Sequence, residues 1–241
     1  MNHPKDKYKA LNERQKDKSY SLVAQFNDNP IGAYFNKQLG HIENVLDHQG
    51  NSAINCLAFD GIRVLHGCNA QLFLYGTVFK INDIMGRDVA INEELNKYGL
   101  NIVDTNPLKV RLVFTDTTKA SVDLNVESLF ALQVLEMKSR AETQFENYMQ
   151  NVLFIVPTSY TIRQIQAVKD AANIAGIDHA HILSQMSAAA IDFGFNTNDK
   201  NTNFREVLVI MFSSNECELA LIEYYNQSIK YLAYYSGVTR I

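Results

Sequence analysis

The sequence predicts an α/β fold built on a mixed sheet, and three observations carry that prediction. Strand-like segments occupy both ends of the chain, with helical ones between them. A strand–helix–strand–helix unit runs through the middle, from Asn151 to Phe195. Two meanders of similar layout, at 20–46 and 207–235, flank the helices. With 241 residues, 46% of them hydrophobic and 20% charged, the chain can bury one large core or two smaller ones. No internal repeat of the solenoid kind, about 20–50 residues long, breaks this plan.

Taken in order, YSLVAQF (20–26) reads as a strand, NDNP (27–30) as a turn, IGAYFN as a second strand and IENVLD as a third. His48-Gln49-Gly50-Asn51 is a turn ahead of the apolar stretch INCLAF. GTVFKINDIMGRD begins extended and becomes helical, and VRLVF pairs with KASVDL across the polar turn TDTT. From Asn125 to about Tyr148 the spacing predicts a long helix. Val126, Leu129, Phe130, Leu132, Leu135 and Met137 form its apolar face, and Lys138, Arg140, Glu142 and Glu146 its solvated one. NVLFIVP lacks alternation and reads as a strand buried on both faces. TIRQIQAVKDAANIAG is a helix capped by Thr161 and stopped at Gly176, with Ile165, Val168, Ala172 and Ala175 on one face. HIL is a short strand, SQMSAAAIDFGF an Ala-rich helix and NTNDKNTN a polar linker. Two hairpins close the chain: VLVIMFSSNECELALIEY, then YYNQSIKYLAYYSG.

Charge and cysteine usage narrow the function class. The formal net charge is −4, which does not favour a duplex-binding surface or sequence-specific nucleic-acid recognition. The first 18 residues carry Lys5, Lys7, Lys9, Arg14, Lys16 and Lys18 against Asp6, Glu13 and Asp17, a polar basic tail that reads as solvated. Cys56, Cys68 and Cys217 show no metal-like spacing and read as buried free thiols in a reducing compartment, so no metal site is expected. No apolar run approaches the ~18 residues of a membrane span, and the N-terminus lacks a signal-peptide core. The expectation is a cytoplasmic, or also nuclear, protein with no membrane contact.

Residues 151–195 go further than fold class. NVLFIVPTSYTIRQIQAVKDAANIAGIDHAHILSQMSAAAIDFGF closely resembles the central segment of the Hsp70 ATPase domain. The likeness lies in a Val-Pro after a buried strand, a Gln-x-Gln-Ala helix, Lys-Asp-Ala, Ile-Ala-Gly and an Ala-Ala-Ala helix. DHQGNSAINCLAF is similar to that family's Asp-Gln-Gly-Asn turn and the strand after it, and TVFKINDIMGRD to its Thr-Val-Phe…Gly-Arg segment. The resemblance covers about 20–241. It implies an actin-like fold of ribonuclease H-like subdomains, two lobes with ATP between them. Lobe I would be complete at 19–203, with a core subdomain at 19–55 and 125–203 and an inserted one at about 56–124. Lobe II would only begin at 204–241.

The same resemblance identifies the positions of the ATP chemistry, and each is replaced. Phe26 stands at the Asp of the first phosphate turn, followed by Asn27, Asp28, Asn29 and Pro30. Pairing Ser19-Tyr20-Ser21 with the family's Thr-Tyr-Ser instead also leaves that Asp-Leu-Gly missing. Asn82 stands at the Lys that stabilises the attacked phosphoryl group, Gln185 at the Glu that positions metal and water, and Met211 at the second Asp. Ser213, Ser214 and Asn215 replace three glycines that let backbone N–H groups approach phosphate, and Glu216 replaces a Thr. A carboxylate ~4 Å from a phosphate charge opposes it by about 4 kcal/mol at an effective dielectric near 20.

These replacements predict a catalytically inactive Hsp70-like protein, with no bound cofactor, acting as a co-chaperone or partner-binding module. J-domain co-chaperones, the ribosome or other chaperones are the partners implied. The alternatives are an Hsp70-type ATPase that binds ATP and magnesium, and a truncated paralogue without independent function. Asp178, His179, His181 and Ser184 are too close in sequence for a triad, and Asp60, His66 and Cys68 read as a surface loop. Tyr224, Tyr225, Tyr231, Tyr234 and Tyr235 read as strand aromatics of the last hairpin, with edge covering or partner binding as the alternative.

Overall fold

The computed structural model describes residues 22–26, 30–36, 39–46, 55–73, 77–79, 81–86, 100–105, 107–113, 120–196, 205–212, 216–225 and 228–238. The predicted turns at 27–29, 48–51 and 115–118, the basic tail and the linker at 197–203 lie outside them.

Strands β1 (Leu22–Gln25), β2 (Ile31–Asn36) and β3 (His41–Asn44) open the chain. They pair antiparallel in sequence order and continue into a five-stranded sheet of order β11-β10-β1-β2-β3. β10 is Asn151–Val156 and β11 is His179–Ser184. Between β3 and β10 the chain first forms β4 (Cys56–Phe59), β5 (Val64–His66), α1 (Cys68–Gln71), β6 (Val78–Phe79) and α2 (Ile81–Ile84). β7 (Ile102–Thr105), β8 (Leu108–Val113) and β9 (Ser121–Asn125) follow. β4 to β6 and β7 to β9 make two further three-stranded sheets. The Asp60 side chain closes the β4–β5 turn by accepting from the Ile62 and Arg63 amides at 2.9 and 2.8 Å.

Helix α3 (Val126–Phe145) starts at Asn125, which is still extended, and stops at Glu146, whose φ of 49° is left-handed. It buries Leu129, Phe130, Val134, Met137 and Ala141. Several expectations fail here, and Arg140 and Glu142, expected to be solvated, are only 18% and 12% exposed in their side chains. Leu135 is exposed, because at about 100° per residue it falls off the stripe set by Phe130, Val134 and Met137. Lys138 is buried rather than solvated: its ammonium lies 3.6 Å from Glu142, 3.5 Å from the Gly176 carbonyl and 4.9 Å from the centre of the Tyr148 ring. A charge taken from water is tolerated when a carboxylate, a carbonyl and an aromatic face replace the solvent.

β10 also departs from expectation. Val152, Phe154 and Val156 are fully buried, but the alternate residues are only partly so. A central strand with one tight face and one loosely covered face gives the same unbroken apolar run as one buried on both.

Helix α4 (Ile162–Ile174) begins with a capping box: the Gln164 amide donates to Thr161 Oγ1 at 3.3 Å, and the Thr161 amide donates to Gln164 Oε1 at 3.0 Å. It ends at Gly176, φ 69°, with the Ile177 amide donating to the Ala172 carbonyl at 3.0 Å. The N-terminal turn of α4 leaves no room beside Gly86. There φ is 64°, and a Cβ would sit 2.7 Å from the Gln164 Cα.

Helix α5 (Gln185–Asn196) leads to β12 (Arg205–Phe212), β13 (Glu216–Tyr225) and β14 (Ser228–Val238), an antiparallel sheet of order β12-β13-β14. The chain divides into two compact units: residues up to Phe154 with Thr161–His181, and Ile155–Tyr160 with Ile182–Ile241. The first has Leu57, Ile81, Ile84, Leu112, Leu129, Met149 and Phe154 at its fully buried centre. The second packs Met186 and Ala190 of α5 on Ala220 and Ile222 of β13.

Candidate functional site

In the first unit β1 alternates, with Leu22, Ala24 and Phe26 on the buried side and Val23 and Gln25 half-buried. Phe26 therefore points into the core. Its ring meets Phe130 edge-on, centroids 4.9 Å apart, and stacks on Phe154 at 6.4 Å. Pro30 is buried at the entry to β2, and Asn27, Asp28 and Asn29 lie outside the described residues.

Asn82, on the short helix α2, is buried in a ladder of side-chain amides. Its Oδ1 accepts from Asn55 Nδ2 at 2.8 Å, and its Nδ2 donates to Asp83 Oδ1 at 3.0 Å. Asn55 Oδ1 in turn accepts from Gln133 Nε2 of α3. The ladder joins the start of β4 to two helices. It explains two buried polar residues, Asn55 and Gln133, that periodicity does not single out.

In the second unit Gln185 is half-buried at the first turn of α5. Ser184 Oγ accepts from the Ser187 amide at 3.1 Å, and Thr158 Oγ1 accepts from the Met186 amide at 3.3 Å, so two hydroxyls cap the helix start. Met211 is half-buried on β12, against the Met186, Ala190, Ala220 and Ile222 cluster. Ser213, Ser214 and Asn215 lie outside the described residues, and the backbone of Glu216 opens β13 opposite Val238.

Sequence reasoning missed Glu218. It is buried, and its Oε1 accepts from the Ser159 amide at 3.2 Å and from the Tyr234 hydroxyl at 2.8 Å, while its Oε2 is buried without a partner among the described residues. The signal is the alternation Glu218, Ala220, Ile222, which puts the carboxylate on the buried face. His66 also departs from expectation. It is not a surface-loop residue: its Nδ1 is buried at the end of β5, and burial lowers its pKa, with Glu136 opposing that shift and Arg140 adding to it. Asp178 bonds to Gln150 at 2.8 Å and Ser184 to Ser187 and Tyr231, so no triad forms. Among the described residues no group of three His, Cys, Asp or Glu is placed to hold a metal ion.

The tyrosines of the last hairpin are not alike. Tyr224 packs on Phe193, centroids 6.0 Å apart, Tyr231 bonds to Ser187 Oγ at 2.8 Å, and Tyr235 is 62% exposed.

The family model described as Hsp70 protein matches residues 66–223. The chain belongs to the Hsp70 family. Its relatives include a heat shock protein of Pyricularia oryzae, 26% identical over 61% of this chain and 24% of that protein. A chaperone protein HscA homolog of Chromobacterium violaceum is 30% identical over 53% of this chain and 20% of its own length. The putative heat shock 70 kDa protein 7 of Homo sapiens is 25% identical over 77% of this chain and 52% of its own. The chain thus spans between a fifth and about half of these relatives. The mixed α/β architecture agrees with a partial actin-like ATPase fold. No helix among the described residues is long and apolar enough to cross a membrane.

The Hsp70 family implies a magnesium triphosphate, and the side chains at the five described positions do not fit one held in the way the resemblance implies. Phe26, Pro30 and Met211 offer no donor or charge, and Asn82 turns its amide into the buried ladder. Gln185 is neutral. A cation shell needs oxygen ligands and a γ-phosphate needs a positive partner; none of the five is charged.

Proposed function

We propose that this Hsp70-family chain works by holding a partner rather than by hydrolysing ATP, as a co-chaperone or partner-binding module in protein folding in the cytoplasm. The observation that carries the reading is Asn82. Where the family's lysine is expected, a neutral amide spends both of its polar atoms on Asn55 and Asp83. Phe26 supports it, with its ring packed against Phe130 and Phe154. We take 19–203 as lobe I and 204–241 as the start of lobe II, with no cofactor in either. The partner class fits relatives such as a ribosome-associated molecular chaperone of Saccharomyces cerevisiae, 24% identical over 61% of this chain. A J-domain protein or the ribosome is the partner to test first.

Family membership favours a second reading, an ATP-binding chaperone. Calorimetry and thermal melting with millimolar magnesium ATP separate the two. A ligand at 100 times its Kd adds about 2.7 kcal/mol, roughly 5–10 °C in Tm for a chain of this size. We expect no binding heat, no rise in Tm and no turnover. A magnesium-dependent rise of that order, or a stoichiometric burst of ADP, replaces the first reading with the second.

A further inference from the structure

A small cavity of about 20 Å³ lies in the first unit, between β5 and α3. Phe26, Pro30, Cys56 and Met137 supply apolar wall; His66 and Gln133 supply polar atoms. Two polar atoms of these residues are unpaired among the described residues: His66 Nδ1 and Gln133 Oε1 are both buried with no hydrogen-bond partner there. Gln133 is itself 7% exposed. Leaving either atom unpaired costs about 1–3 kcal/mol, a penalty that native cores avoid by admitting an ordered water where space allows.

The space and the chemistry agree on the occupant. A water needs roughly 10–15 Å³ of such volume and two or more polar partners; the pocket has about 20 Å³, and both residues that carry an orphaned atom line it. The Glu136 carboxylate at the rim is already paired with Arg140 at 2.8 Å, so a cation meets no open anionic ligand there.

We propose that this cavity is a binding site for one water molecule that bridges Gln133 Oε1 and His66 Nδ1. Proton directions follow from the ladder. Gln133 Nε2 donates to Asn55, so Gln133 Oε1 is an acceptor and the water donates to it. A neutral His66 with its proton on Nε2 accepts the second water proton at Nδ1; with its proton on Nδ1 it donates to the water oxygen. Either tautomer completes a continuous chain from His66 through the water, Gln133 and Asn55 to Asn82 and Asp83.

The test uses the unmodified chain. A crystal structure should show one isolated density peak within about 2.7–3.2 Å of both atoms. Water-selective NOE spectra should show a long-lived water cross-peak to the Gln133 side-chain amide. The Gln133→Leu variant removes the acceptor and should abolish a second water cross-peak, the one to the His66 ring protons seen in the wild type; the wild-type measurements stand even if the variant does not fold. An empty cavity with no cross-peak, or a rotation that bonds His66 Nδ1 directly to Gln133 Oε1, overturns the proposal.

Discussion

The two meanders share a layout but are held by different means. β1, β2 and β3 have 4, 6 and 4 residues, and their ladder continues into β10 and β11. Their interior is crowded: a Cβ on Gly32 would come within 2.9 Å of both Met137 Sδ and Val45 Cβ. β12, β13 and β14 have 8, 10 and 11 residues and pair only with one another among the described strands. One face of that sheet packs on α5. The other presents Leu208 at 59%, Ile210 at 48%, Phe212 at 76% and Tyr235 at 62% exposure. The short meander also exposes Ile31, Phe35 and Ile42, and its tight packing lies on the side of β1, Gly32 and Val45; the long one rests on its ladders and one buried face. The same kind of substitution should therefore cost very different amounts in the two.

The largest effect should come from the residue that closes the first meander. Phe26→Ala removes a ring enclosed by Phe130 and Phe154 and should cost about 3–5 kcal/mol, read as a lower denaturant midpoint. Met211→Ala, at a half-buried position of the second meander, should cost clearly less, about 1–2 kcal/mol by the ~25 cal/mol per Å² rule. Equal costs would break the comparison. Next comes the buried carboxylate of the second unit. Tyr234→Phe takes from Glu218 one of its two donors and should cost about 1–3 kcal/mol; the double variant with Glu218→Gln should recover part of that, since the charge is gone.

These positions also show what the sequence could reveal. The long helix, the capped helix from Thr161 to Gly176 and both meanders were legible, because local periodicity and capping residues suffice for them, whereas the short strands Val64–His66 and Ile102–Thr105 were not singled out. Burial of Lys138, Gln133 and Asn55 was not. Each depends on a partner far away in sequence: Gly176 is 38 residues from Lys138, and Gln133 is 78 from Asn55. The candidate site was legible as a set of replacements, Phe26, Asn82, Gln185 and Met211, but the part Asn82 plays in the amide ladder was not. Glu218 was within reach, since its strand alternates cleanly.

Two smaller effects probe the first unit by titration. His66 has its pKa lowered by burial. Below its ordinary value near 6.5, the unfolded chain takes up a proton that the folded chain refuses. Stability should then fall as the pH falls beneath 6.5, by at most about 1.4 kcal/mol per pH unit, and level off below the folded pKa. The slope should vanish in His66→Gln. Thiol labelling sharpens this further. Burial, and to a lesser degree the nearby Cys68, pushes the Cys56 thiol up to about 11. Cys68 is exposed. At pH 8 in native buffer Cys68 should be modified promptly and Cys56 only at the rate of unfolding; prompt modification of both would mean that β4 opens locally.

The smallest effect is expected on the open face of the second meander. Phe212 sits at the end of β12, 76% exposed, opposite Cys217 in the register. Phe212→Ser removes little buried area, so stability should change by no more than about 0.5 kcal/mol. Ile210 is paired with Leu219 on the same face, and Ile210→Thr keeps the β-branched shape that suits a strand. The double variant should melt within a degree or two of the parent, since about 1 kcal/mol moves a domain of this size by roughly 2–4 °C. A loss of several degrees would mean that this face is covered by protein in solution. The contrast between a packed meander and a half-open one would then vanish.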